Sequence, residues 1–146
     1  KIENIGFAAL FHDIGKINIP DEILKKSGRL TAEEFELIKK HPSWGAEIVS
    51  STYFEKLSEI IRQHHERIDG SGYPDKLKDK EILIEAKIIA VADSYDAMTS
   101  DRIYRKGISP IMAVKELKSL KGIHYDEKVV DALIEVLKEE EMLKEE

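Results

Sequence analysis

A chain of 146 residues is long enough to bury a core of its own and needs no second domain. Charged side chains make up 36% of it and the net charge is −6, with Lys and Glu interspersed; this excludes a groove for a nucleic-acid polymer and leaves a small anion dependent on a local positive cluster. Cysteine is absent, which excludes disulfides and thiolate metal sites. No run approaches the roughly 18 apolar residues of a membrane span, and no basic-then-apolar leader is present; a cytoplasmic segment is expected.

Ile2, Ile5, Ala9, Phe7 and Leu10 read as the closing turns of a helix that delivers Phe11-His12-Asp13-Ile14-Gly15-Lys16, with Gly15 as its stop. Because the chain begins at Lys1 inside an amphipathic pattern, a longer protein is expected. Pro20 to Leu24 forms a short helix with acids in its first turn, ended by Ser27-Gly28. Thr31 and Glu34 make a capping box that opens a helix through Phe35, Leu37 and Ile38 to His41, and Pro42 begins the next. That next helix carries Trp44, Ile48 and Val49, and a further one runs from Tyr53 to His65. His64 and His65 close its apolar run, and the chain then breaks at Asp69-Gly70-Ser71-Gly72-Tyr73-Pro74.

Residues 75–81 are polar and read as a loop. Ile82 to Thr99 is the most apolar stretch, a buried central helix with Ala86, Ile89, Ala90, Asp93 and Ala97 on one face. A carboxylate on that stripe needs a partner, which a metal, a buried base or an ordinary cation would supply. Ser100 to Gly107 is the dense basic stretch, and its arginines offer forked donors to phosphate. Ser109-Pro110 starts a helix through Leu117 ending near Gly122; Asp126 caps a last helix carrying Val129, Val130, Leu133, Ile134 and Leu137; His124 between them reads as structural. No strand-length alternation or repeat stands out, so the expected fold class is all-α.

His12, Asp13, His41, His64, His65 and Asp93 fall at helix ends or on apolar faces. Singly, each has a plain reading as a packed histidine or a capping or ion-paired aspartate. Together they suit two hard-to-borderline metals. A bridging carboxylate between ions about 3.5–4 Å apart allows a shared hydroxide at neutral pH and in-line attack on a phosphodiester.

The stretches His12-Asp13-Ile14-Gly15-Lys16, His41-Pro42, His64-His65-Glu66, Asp69-Gly70-Ser71-Gly72-Tyr73-Pro74 and Ala92-Asp93-Ser94-Tyr95-Asp96-Ala97-Met98 resemble the HD-GYP domain, a branch of the HD phosphohydrolase superfamily, from about Ala8 to Val136. The resemblance implies an HD-domain-like bundle of about six to eight helices over residues 1–146, its N-terminal helix truncated. It implies a bacterial phosphodiesterase that opens cyclic di-GMP to linear pGpG, with GMP as a further product left open, using two or three divalent ions, iron or manganese. It assigns His12, Asp13, His41, His64, His65 and Asp93 to the metals, with Asp13 bridging. Lys16 would face the scissile phosphate as a catalytic residue beside Asp13; Arg102 and Arg105 would contact substrate phosphate; Gly72 and Tyr73 would shape the substrate pocket. The same motif suggests a docking surface for a diguanylate cyclase, and a sensory domain is expected upstream.

Two departures stand out. In the family the helix before the His-Asp pair carries another histidine and, in three-metal members, a glutamate, whereas Glu3 here is followed by no suitable histidine. Residues before Lys1 would supply that ligand, or metal binding is incomplete. Ile103 stands where the family usually has proline, which would loosen the basic loop. The alternatives to an active hydrolase are a weak or inactive module that binds cyclic di-GMP or docks a cyclase, and an HD phosphohydrolase for another nucleotide.

Overall fold

The computed structural model describes residues 2–50, 55–102 and 105–143. Among them the chain folds into α1 (Ile2–Phe11), α2 (Asp21–Leu24), α3 (Ala32–Ile38), α4 (His41–Ser50), α5 (Glu55–Gln63), α6 (Ile84–Thr99), α7 (Pro110–Leu120) and α8 (Glu127–Glu139), with 3₁₀ turns at Ile14–Asn18 and Asp79–Glu81. The described residues form isolated bridges and no strand, as an all-α reading requires. None of their helices is long and apolar enough to cross a membrane.

The caps form where the sequence places them. Thr31 Oγ1 accepts the Glu34 amide at 3.2 Å while Glu34 accepts the Thr31 amide at 2.7 Å, a complete box at the start of α3. Ser109 caps α7 with Pro110 in its first turn, and Asp126 Oδ1 accepts from Lys128 and Val129 to start α8. Gly122, with φ of 76°, follows the end of α7.

Four boundaries differ from expectation. His41 opens α4 instead of closing α3, because the chain turns at Lys39 and Lys40 and Pro42 favours the first turn of a new helix. α5 ends at Gln63, so His64 and His65 sit in the turn beyond it; the expected start at Tyr53 lies outside the described residues. α6 begins at Ile84, with the Leu83 amide donating to Gln63 Oε1 at 2.7 Å, and Ile82 packs before it. Gly15 is no helix stop. It lies in the first 3₁₀ turn, where a Cβ would collide with the main-chain oxygen of His41. That approach of bare backbone to backbone brings the His12-Asp13 end of α1 against the start of α4.

Two apolar clusters fill the interior. One joins Ala8, Val49, Leu57, Ile60, Ile61, Ile82, Ala86 and Ile89; the other joins Val91, Tyr95, Ala113, Val114, Leu117, Tyr125, Val129, Val130, Ile134 and Leu137. α6 contributes to both.

Candidate metal centre

Four elements deliver the six expected ligands: the end of α1 brings His12 and Asp13, the start of α4 brings His41, the turn after α5 brings His64 and His65, and the middle of α6 brings Asp93. In three of the rings, Nδ1 meets a carbonyl three residues back: His12 with Ala9 at 2.6 Å, His41 with Ile38 at 2.7 Å, and His64 with Ile61 at 2.6 Å. A carbonyl only accepts, so each Nδ1 carries a proton and donates it. In its neutral form each ring keeps its lone pair on Nε2, with orientation fixed by main chain.

Those Nε2 atoms converge. His41 Nε2 and His64 Nε2 lie 3.3 Å apart. The Asp13 carboxylate is split between two sides, Oδ1 lying 3.3 Å from His41 Nε2 and Oδ2 lying 3.6 Å from His12 Nε2. Asp93 Oδ1 is 3.4 Å from His12 Nε2, and Lys16 Nζ donates to Asp13 Oδ2 at 2.6 Å. His65 packs against His64 with ring centroids 4.1 Å apart and against His41 at 5.0 Å.

The electrostatics suit a cation. Burial alone would raise Asp13, but hydrogen bonds from His41 and Lys16 hold it well below the usual carboxylate range. Asp93 is lowered by His12 against the opposing effect of burial, and His12 is raised in return, chiefly by Asp93. Burial pushes His64 down to about 4, and burial with repulsion from His64 and His41 pushes His65 still lower, so both rings stay neutral at pH 7. With both rings in the neutral form, His41 Nε2 and His64 Nε2 would face each other as two lone pairs at 3.3 Å and repel unless a positive centre lay between them.

Donor atoms of His41, His64 and His65 lie within 4.8 Å of one another, as do those of His12, Asp13 and His64. The two triads share His64, and Asp13 presents one oxygen towards each. With no thiolate, this donor set fits hard-to-borderline divalent ions.

The glycine-rich loop packs directly on this cluster. A Cβ on Gly72 would strike the backbone of His65, Glu66 and Arg67, so only glycine lets the loop lie so close. The Tyr73 ring then stacks on His65, centroids 4.9 Å apart at 24°, and burial pushes its hydroxyl up to about 12, keeping the proton on.

The supporting roles of Glu66 and Gln63 were not read from the sequence, although Glu66 belongs to the His64-His65-Glu66 motif. Buried Glu66 accepts the amides of Asp75 at 2.7 Å and Leu77 at 3.0 Å, clamping the loop, and buried Gln63 ties the end of α5 to α6. The only signal for them was their position beside a buried histidine pair. His124 lies outside the cluster: its carbonyl accepts from Ile68 at 3.1 Å, pinning the loop to the α7–α8 connection, and its Nε2 lies 3.6 Å from Asp69 Oδ2.

The basic stretch is placed differently from the ligands. Arg102 and Arg105 are exposed and exchange two backbone hydrogen bonds. Arg105 donates to Ala97 O at 2.6 Å and lines a cavity of about 350 Å³ with Ser94, Met98, Leu117 and Tyr125. Ile103 lies outside the described residues.

A sequence model of the HD domain family matches residues 1–129. A cyclic di-GMP phosphodiesterase of Thermotoga maritima is 49% identical over 141 residues, covering 94% of this chain and 38% of the relative. The cyclic di-GMP phosphodiesterase response regulator RpfG of Xanthomonas campestris pv. campestris is 42% identical over 137 residues, covering 92% of this chain and 36% of its own length. The chain thus spans less than half of these relatives. Among solved structures, an HDG"Y"P protein of Bdellovibrio bacteriovorus superposes with a TM-score of 0.73 at 27% identity, covering 93% of this chain and 44% of that one. With the match over residues 1–129 and the histidine-aspartate cluster assembled beside a Gly-Tyr-Pro loop, the chain belongs to the HD domain family, in its HD-GYP branch.

Proposed function

We propose that this chain is the catalytic domain of a metal-dependent phosphodiesterase that hydrolyses cyclic di-GMP to linear pGpG. The observation that carries the reading is the convergence of the His12, His41 and His64 Nε2 atoms on a carboxylate whose two oxygens face opposite sides. The names of the two similar relatives support the substrate.

In this reading His12, Asp13, His41, His64, His65 and Asp93 hold two divalent ions, iron or manganese, with Asp13 shared. The bound metals supply an acidified water and neutralise phosphoryl charge. A product with a 5′-phosphate requires cleavage of the bond between phosphorus and the 3′-oxygen. Lys16 keeps Asp13 ionised and presents its remaining N–H donors to a phosphate oxygen. Tyr73 holds the His65 ring in place. Arg102 and Arg105 are assigned to substrate phosphate; Arg105 has to exchange one exposed bond to Ala97 O for it. Residues 1–146 form one domain, and the family histidine that the first metal lacks here is assigned to residues before Lys1. A cytoplasmic setting, an upstream sensory domain and docking of a diguanylate cyclase on the Gly-Tyr-Pro surface complete the proposal.

The test is hydrolysis of cyclic di-GMP by the chain purified anaerobically and supplied with manganese or ferrous iron, with metal content measured on the same sample. Turnover at about two metals per chain supports the reading. A fully metallated, N-terminally extended chain that yields no pGpG overturns it.

A further inference from the structure

The metal cluster accounts for one phosphate of a cyclic dinucleotide. Beyond Lys16, Arg102 and Arg105, which are assigned to phosphate, the two purines and the side of the substrate away from the metals still need partners. From His65 outward, a continuous row of contacts leads to the surface. The Tyr73 ring stacks on His65; Lys39 Nζ lies over the Tyr73 ring, 5.8 Å from its centroid; the same ammonium lies 5.5 Å from the centroid of Phe35. Phe35 and Lys39 are one helical turn apart and so share a face at the end of α3. Phe35 is 47% exposed, a large aromatic ring presented to water beside the site.

Lys39 also pairs with Glu36 at 2.6 Å, but Glu36 is largely exposed, and an exposed ion pair exchanges its partner readily. In a chain of net charge −6, a cation held between two rings at the edge of the cluster adds to Arg102 and Arg105 a further positive group for a dinucleotide phosphate. Aromatic faces meanwhile accept purines by stacking without demanding a particular base.

We infer that Phe35 and Lys39 form the outer wall of the substrate site, Lys39 meeting the phosphate away from the metals and Phe35 stacking on one base. The inference rests on the cyclic dinucleotide reading above. It places a substrate-positioning pair on α3, outside the histidine-aspartate and Gly-Tyr-Pro motifs.

The test compares kcat and KM for cyclic di-GMP among the wild-type chain, Phe35→Ala, Lys39→Ala and Lys39→Arg, each with metal content measured. The expected result is a KM raised about tenfold in each alanine variant, with kcat within about twofold and metal content at the wild-type level; Lys39→Arg recovers most of the loss because it keeps the charge and stacks on rings. Unchanged KM in Phe35→Ala and Lys39→Ala, alongside a working wild type, overturns the inference and leaves the functional reading standing. Equal losses in Lys39→Ala and Lys39→Arg, or a fall in metal content, also overturn it, since they mark a merely structural role. A metallated wild type with no turnover brings down the functional reading, and this inference with it.

Discussion

The two interior clusters differ in what they bury besides carbon. Around Ile60 and Ile61 the packing is interrupted by His41, Gln63, His64 and Glu66, all with less than a tenth of their surface exposed. Around Leu117 and Val130 the buried side chains are aliphatic or tyrosine, and the Tyr125 hydroxyl donates a hydrogen bond to Ser94 Oγ at 2.8 Å. Each buried polar group needs a partner within reach. The first cluster therefore combines apolar packing with a set of buried hydrogen bonds, whereas the second holds mainly by packing. The site draws mostly on the first cluster, and Asp93 joins it from α6 between Val91 and Tyr95 of the second.

Asp13→Ala should show the largest effect, because it removes one oxygen from each side of the cluster. Both metals and turnover should be lost together, a fall on the order of a thousandfold or more; metal retained at wild-type stoichiometry would refute the shared role. Leu117→Ala, at a position only 1% exposed in the other cluster, should cost about 2–5 kcal/mol in denaturant unfolding while metal content stays at the wild-type level. A metal loss matching the stability loss would show that the two clusters are not separable. Lys16→Ala should keep its metal and lose turnover by about a hundredfold, the usual scale for one transition-state contact. An unchanged rate removes Lys16 from the mechanism.

The pH dependence of the metal-free chain should betray the first cluster alone. His64 and His65 gain protons near pH 6.5 when unfolded, but their folded values are depressed, to about 4 for His64. Their contribution is therefore present above pH 6.5 and lost as pH falls below it, by up to ~1.4 kcal/mol per pH unit for each ring. His12 is shifted upward, so its contribution has the opposite sign: it is fully present below pH 6.5 and fades as pH rises above it. Urea midpoints measured between pH 7 and 5 check this; a flat profile contradicts burial of neutral rings. Glu66→Gln should have the smallest effect, about 1–3 kcal/mol, because one of its two loop amides loses its acceptor. Thermal unfolding would register it.

The helices were legible because caps and apolar periodicity are local: Thr31, Ser109 and Asp126 each start the helix expected of them. The convergence of His12, Asp13, His41, His64, His65 and Asp93 was legible from the family motifs and from their places at helix ends or on an apolar face. What the sequence hid was non-local. Gly15 reads as a stop signal, yet its role is set by the His41 carbonyl 26 positions away in the chain, and no local pattern carries that information. Glu66 and Gln63 were hidden for the same reason, since their partners at Asp75, Leu77 and Leu83 are backbone amides, which leave no mark in residue identity. The placement of Arg105 on Ala97 O depends likewise on how the chain folds back after α6.

The three Nδ1–H bonds to Ala9, Ile38 and Ile61 carbonyls have one more consequence. In many metal sites the groups that aim the ligands are themselves side chains, so a substitution can misdirect a ring without touching it. Here the aiming groups are peptide oxygens, present whatever residue occupies the position. Bearings of this kind can be lost only by unwinding the helix turn that carries them, which makes ligand orientation a property of the backbone's course and leaves the surrounding side chains free to vary in pursuit of substrate and partner.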